Sequence, residues 1–527
     1  MKHLSIITFV LLLFALQTTI AQDSIPWHHQ SPNGLQTQGI SLQEGLDFMH
    51  SKGKTQKTVI VAVIDSGIDT LHEDLQARLW HNPKEIPYNN IDDDGNGYID
   101  DYYGWNFIGG SDGRNVNGET IEVVRFYKEN KEAFENKKKS QISKADRKKY
   151  KLWLKAEKEV VTKRKDFSEN KAMFTEWRNA LAFSENIIKE KMSVDTLTLE
   201  IVEKFEPSNK QENSIKDLII GTYSQGSSLK TIDEALEYFD DNLSKSYSLT
   251  YDPRPDIIGD NVDDINDTIY GNSDVQAEGY SHGTGVSGII GAVRNNGVGT
   301  QGIVDSVQLM ILRVVPGGDE RDKDVALAIR YAVKNGATII NGSFGKSYSK
   351  HPEFVKDAID YAIAHDVLII HAAGNSAENN DKTTHFPTPT TEQRTHWIDV
   401  GASSINNDEA KLAAEFSNYG RKTVDIFAPG VDIYSTSPNN NYGSSSGTSD
   451  ASPVVAGVAA LVKAYYPQIT ATQLRTVLLQ SSVKHKKVKT HLPGSNKRKV
   501  RFKKLSTTAG IVNAYQALKM AEELLGS

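Results

Sequence analysis

The 527 residues are 38% apolar and 24% charged, with no cysteine and a formal net charge of −7. That balance is ordinary for a globular chain and argues against a dedicated nucleic-acid binder, which needs a basic surface for phosphate. Without cysteine there is neither a disulfide nor a lipid-modified thiol, so core packing and bound ions must stabilise the chain; its length admits one large α/β domain with an insertion or two domains.

Lys2 and His3 precede an apolar run from Leu4 to Leu16, and Thr19-Ile20-Ala21 follows. This pattern predicts a secretory signal, residues 1–21, removed after Ala21. The alternative, a retained anchor, is disfavoured by the shortness of the run, and no other segment reads as a membrane helix. The chain is therefore expected to be exported to the periplasm or beyond, with no membrane span after cleavage. Residues 22–57 form a polar leader with helical spacing at Leu42, Leu46 and Met49.

Thr58–Ile64 is an unbroken β-branched run ending at Asp65, as expected for a strand buried on both faces of a parallel sheet. In residues 92–101, Asp92, Asp94, Asn96, the Tyr98 carbonyl and Asp100 stand at the offsets of a calcium loop, with Gly97 at its sharp turn. The glutamate usual at the twelfth position is missing, and Tyr103 stands there. The rival reading is a solvated acidic turn; carboxylates packed this densely favour a bound calcium ion.

From 119 to 243 the chain becomes rich in lysine and glutamate with spaced aromatic residues. A helical insertion is expected, with one apolar stripe through Tyr150, Trp153, Leu154 and Val161 and a further helix over Thr231–Leu243. It reads either as a solvated appendage or as an element shaping substrate access. The acidic cluster Asp260, Asp263, Asp264 and Asp267 is a weaker metal candidate.

Ser281–Ala292 is a small-residue helix with His282 at its start. Apolar runs at Val307–Val315, Ala337–Asn341, Val367–Ala373, Trp397–Ala402 and Val424–Phe427 alternate with helical patterns at Asp324–Asn335 and Pro352–His365. Alternation at this spacing predicts an α/β fold, a doubly wound and mostly parallel sheet. An Asn- and Ser-rich loop at 437–446 leads to Ser449, which opens a helix with Pro453 expected in its first turn, where a missing N–H is harmless. Helices are expected at Thr470–Ser481 and Gly510–Leu525, and the alternating basic stretch between them suggests an exposed hairpin, either a solvated face or a polyanion site.

Asp65, Ser343 and Asn375 each follow a strand, so all three lie at the carboxyl edge of one sheet, where ligands bind in open α/β folds. A serine at a helix N-terminus, a histidine to take its proton and an aspartate to fix the imidazole make the logic of a serine hydrolase. The segments Val61-Ala62-Val63-Ile64-Asp65-Ser66-Gly67, His282-Gly283-Thr284, Ala372-Ala373-Gly374-Asn375 and Gly447-Thr448-Ser449-Asp450-Ala451-Ser452-Pro453 resemble the subtilisin-like serine proteases in type and order.

The resemblance implies a subtilisin-like domain over 58–118 and 244–527 and endopeptidase action on extended polypeptides through an acyl-enzyme. By it Ser449 is the nucleophile, His282 the base, Asp65 its orienting acid and Asn375 the oxyanion donor, while Ser343, Phe344 and Gly345 pair with the substrate. Four departures stand out: Asp450 in place of the usual methionine, Gly285 in place of a second histidine, a leader of 36 residues, and 217 positions between Asp65 and His282. Asp450 is expected to oppose the oxyanion and stabilise protonated His282. A peptide-binding scaffold without turnover and an adhesive surface protein are the rivals.

Overall fold

The computed structural model describes residues 26–32, 38–405 and 409–526. The expected signal at 1–21 lies outside them. The described chain divides into two compact units, one of Val123–Tyr251 and one of the residues up to Glu122 and from Asp252 onward.

The larger unit is built on a nine-stranded sheet. Its strands are β1 (Val59–Asp65), β2 (Gly104–Asn106), β3 (Val307–Arg313), β4 (Ile339–Gly342), β5 (Leu368–Ala372), β6 (Trp397–Ser403) and β7 (Ile426–Pro429). Beyond these, β8 (Ile433–Ser437) and β9 (Asn441–Ser445) form a separate ribbon, as do β11 (Lys489–His491) and β12 (Lys499–Arg501), while β10 (Val483–Lys484) and β13 (Gly510–Ile511) complete the sheet. Across the sheet the order is β10-β13-β7-β6-β5-β4-β1-β3-β2. Every pairing is parallel except β10 with β13. This is the doubly wound, mostly parallel α/β architecture expected from the alternation of strands and helices.

Side-chain alternation along β1 explains its unbroken apolar run. Val59, Val61 and Val63 join a core with helices α1 (Ser281–Gly291) and α4 (Thr448–Tyr465), whereas Ala62 and Ile64 face a second core with α2 (Asp322–Lys334) and α3 (Pro352–Ala364). Both faces are dry, so a polar residue has no place in the strand until its end. Because β3 and β4 lie on either side of β1, the winding reverses there, and the crevice at the carboxyl edge opens beside Asp65.

Some local expectations change. Gly510–Ile511 is a strand against β7, and the last helix begins only at Ala514, where Asn513 caps it through the Gln516 amide. The polar 437–446 stretch contains β9, paired with β8 rather than free. Part of the leader is integral to the larger unit: Ile40, Leu42 and Met49 are buried in its main core.

In the helical unit, one helix runs 46 residues, Arg147–Met192, followed by Leu199–Lys204, Lys210–Tyr223 and Leu229–Asp241. Phe174, Leu181, Ile188, Ile219, Ile232 and Phe239 form its core. The apolar stripe lies at a different phase from that expected. Tyr150, Trp153, Ala156 and Val160 are buried, while Leu154 and Val161 are exposed, because the indole of Trp153 is fixed by its N–H donating to the Tyr127 carbonyl.

Candidate active site

Asp65 is the last residue of β1 and is buried. Its Oδ1 accepts from His282 Nδ1 at 2.7 Å and from the Ser66 amide at 2.7 Å. A carboxylate only accepts, so Nδ1 carries a proton, and in the neutral ring the lone pair is on Nε2. The close approach depends on Gly283, where a Cβ would lie 2.0 Å from the Gly67 carbonyl. Arg313, at the end of β3, holds the turn after Asp65 by donating to the Ser66 carbonyl.

Ser449 is the second residue of α4, where amides have no acceptor within the helix. Pro453 stands in the second turn rather than the first, and this has a consequence. Having no N–H, it leaves the Ser449 carbonyl without its helical donor. Ser343 Oγ donates to that carbonyl instead, at 3.0 Å. Asn341 in turn donates to Ser343 and accepts from Ser452. The first turn of α4 is thereby tied to the end of β4 through buried hydroxyl and amide groups.

Asn375 follows β5, and its Oδ1 accepts from both the amide and the hydroxyl of Thr448, at 2.8 and 2.9 Å. A backbone N–H can only donate, so the amide orientation is settled and Nδ2 is left to face the opening beside Ser449. Ser449 Oγ and His282 Nε2 make no hydrogen bond to each other.

The charges around His282 are unusual. The Asp65 charge and its hydrogen bond, aided by Asp450, push the imidazole up to about 9 against the effect of desolvation. Burial raises Asp450 itself to about 6, with Ser445 Oγ as hydrogen-bond donor and the His282 charge working in the opposite direction. Each therefore stabilises the charged form of the other.

Beyond β4 the chain leaves the ladder at Ser343 and pairs again only at Lys346, with Phe386. Gly345 and Gly374 flank His385, whose Nε2 would lie 2.5 and 3.1 Å from a Cβ placed at either. That nitrogen is buried without a partner, and burial pushes the ring down to about 4, so it is neutral. His385, Thr448 and Arg313 escaped sequence reasoning. Only Thr448 carried a signal, as neighbour of the serine.

In the acidic loop, Asp100 does not join the carboxylates of Asp92 and Asp94 as the spacing suggested. Asp92 and Asp94 bring carboxylate oxygens within 4.8 Å of one from Glu85, which the spacing did not suggest. Asp100 is turned to the amides of Asn89 and Asn90, and Asn96 is engaged with the Tyr98 amide and Asp101. Glu85 Oε1 accepts from Asp93 and Asp94 amides, while the buried Oε2 has no partner. The second acidic cluster is internally compensated: Asp260 pairs with Arg254 and Lys323, Asp267 with Lys323, and Asp263 with Lys350.

A parallel sheet carrying an aspartate–histidine pair and a helix-initial serine at its carboxyl edge has the arrangement of a serine hydrolase of α/β fold, and the family match below makes the class a serine-type endopeptidase. The comparisons specify it further. The model of the subtilase family matches residues 56–509. Subtilisin DY of Bacillus licheniformis is 36% identical over 38% of this chain and 70% of its own length. The major intracellular serine protease of Bacillus subtilis (strain 168) is 36% identical over 37% of this chain and 59% of its own. A solved protease structure from Pseudoalteromonas arctica PAMC 21717 aligns at 28% identity and a TM-score of 0.37, covering 46% of this chain and 70% of that one. The chain belongs to the subtilase family. Among the described residues no helix is long and apolar enough to cross a membrane.

Proposed function

We propose that Ser449, His282, Asp65 and Asn375 cleave peptide bonds of extended polypeptides through an acyl-enzyme. His282 Nε2 takes the Ser449 Oγ proton as Oγ attacks the scissile carbonyl, and later delivers it to the leaving amine. Water then repeats the sequence on the ester. Asp65 keeps the imidazole in the tautomer that leaves Nε2 basic and stabilises the imidazolium formed. Asn375 Nδ2 and the Ser449 amide, at the positive end of α4, donate to the oxyanion. The observation carrying this reading is the 2.7 Å contact from Asp65 to His282. The missing serine–histidine bond fits a free enzyme, in which catalytic hydrogen bonds are often long and tighten around substrate.

Ser343, Phe344 and Gly345 offer a stretch of backbone between two pairings, suited to accept substrate as an added strand. Calcium suits the acidic loop, since Glu85, Asp92 and Asp94 present hard oxygen donors and the orphaned Glu85 oxygen fits an ion. Its role there is structural, holding crowded carboxylates together. Export rests on the pattern of residues 1–21.

Labelling with a fluorophosphonate tests the assignment. Stoichiometric modification of Ser449 in folded protein, absent in Ser449→Ala, is the expected result; an unlabelled, folded wild type would favour the peptide-binding scaffold.

A further inference from the structure

Between Lys484 and Lys504 the chain holds ten lysines and arginines and not one aspartate or glutamate, on a molecule whose net charge is −7. All ten side chains are exposed, and none makes an ion pair with a described residue. The ribbon β11–β12 organises them. Val488, Leu492, Val500 and Phe502 pack into an apolar cluster, and Thr490 is buried against the Ala410 carbonyl. The alternate positions Lys487, Lys489, Lys499, Arg501 and Lys503 are exposed to solvent.

The register makes the arrangement unfavourable for folding alone. Lys489 stands directly opposite Arg501. Like charges in facing positions of an antiparallel pair destabilise it, and acidic residues here would have relieved the strain. A local rule broken without compensation inside the fold points to a partner outside it.

The ribbon also adjoins the catalytic edge. Gly494, in the turn between its strands, adopts φ +75° and donates its amide to the Glu415 carbonyl. A Cβ there would sit 3.0 Å from the Ala377 Cβ, two residues beyond Asn375.

We propose that the β11–β12 ribbon is an exosite that captures acidic segments of polypeptide substrates and holds them beside the cleft. This rests on the protease reading above and specifies its substrate class. Alternate cations along a strand recur at about 7 Å, the period at which an extended polypeptide presents alternate side chains, so carboxylates on one face of a substrate meet the row in register. A nucleic acid is disfavoured because the ribbon carries no Phe, Tyr or Trp on which bases could stack, and Phe502 just beyond it is buried. A membrane surface is disfavoured because the apolar side chains point inward and leave no anchor.

The test compares two peptides sharing one neutral cleavable core, one extended by alternating Glu and Ser and the other by Gln and Ser, with the bare core as reference. At low salt, wild type should cleave the glutamate peptide about tenfold faster in kcat/KM than the glutamine peptide, and 0.5 M NaCl should erase the difference, as rim charges act on encounter and are screened. In Lys489→Gln/Lys499→Gln/Arg501→Gln the ratio should fall to about one while the bare core is cleaved within about twofold of wild type. A ratio of one in wild type, or one that persists in the triple variant, overturns the exosite. So does binding of heparin or anionic phosphatidylglycerol vesicles to the ribbon without any glutamate preference. Failure to cleave the bare core would sink the protease reading instead. In that event anisotropy of the labelled glutamate peptide on Ser449→Ala, with and without the triple substitution, still decides the exosite: equal binding by the two overturns it.

Discussion

The sheet unit and the helical unit handle polar groups differently. In the sheet unit, the polar side chains that the strands carry within them or at their ends, among them Asp65, Arg313, Asn341, Asp399 and Asp425, are buried and tied into networks. In the helical unit, charge stays mostly on the outside as helical pairs such as Lys204 with Glu200 and Lys245 with Asp241, each worth a few tenths of a kcal/mol. A sheet edge gathers functional groups from distant parts of the sequence onto rigid supports. A bundle of amphipathic helices solves a packing problem without converging its polar groups.

That contrast makes point changes in the two units separable. Ser449→Ala should lower kcat/KM by at least about 10⁴-fold with the melting temperature unchanged, measured with a chromogenic peptide. Asn375→Ala should lose about 10²–10³-fold through the oxyanion donor, with KM little altered. In the helical unit, Leu181→Ala removes a fully buried side chain and should destabilise that unit by about 3 kcal/mol in hydrogen exchange. Turnover of a short peptide should stay within about twofold, and a larger loss would mean that the helical unit supports turnover at the sheet edge.

The acidic loop sharpens the comparison inside the sheet unit, because it is crowded with carboxylates that the protein itself only partly satisfies. A chelator should lower the melting temperature by several degrees in wild type, through loss of an ion that binds only the folded state. Glu85→Gln should abolish that chelator effect. An unchanged midpoint in wild type would argue for a solvated turn.

The smallest effect concerns Asp450. With His282 raised to about 9 by Asp65 and Asp450, neutral base accumulates only as pH climbs toward that value, so the acid limb of the rate profile should lie well above that of an ordinary imidazole. Removing one of the two negative charges in Asp450→Asn should move the limb down by about half a unit to one unit. For stability the sign is the same: protonated His282 contributes fully below the ordinary imidazole range, and that contribution is lost as pH rises through about 9.

The order of strands and helices was legible because covering a strand on both faces writes an unbroken apolar run into the chain, and Val59–Ile64 is such a run. Asp65, His282, Asn375 and Ser449 could be singled out because each follows a strand or opens a helix. The phase of the Arg147–Met192 stripe was not, because Leu154 and Val161 are apolar but solvent-exposed, and only packing on Tyr127 selected the face. Gly510–Ile511 was read as helix because two residues of strand have no periodicity of their own and exist only against β7.

The sequence by itself determined the α/β class, the serine, histidine and aspartate at the edge, and the acidic character of the loop, since these depend on local pattern and residue chemistry. Only the tertiary structure decided that Pro453 hands the Ser449 carbonyl to Ser343, that Thr448 fixes which way the Asn375 amide points, and that Glu85 rather than Asp100 meets Asp92 and Asp94. The reason is physical. Residue types are set one position at a time, but a hydrogen bond or a ligand shell depends on which distant atoms the folded chain brings within about 3 Å, and no spacing along the sequence encodes that distance.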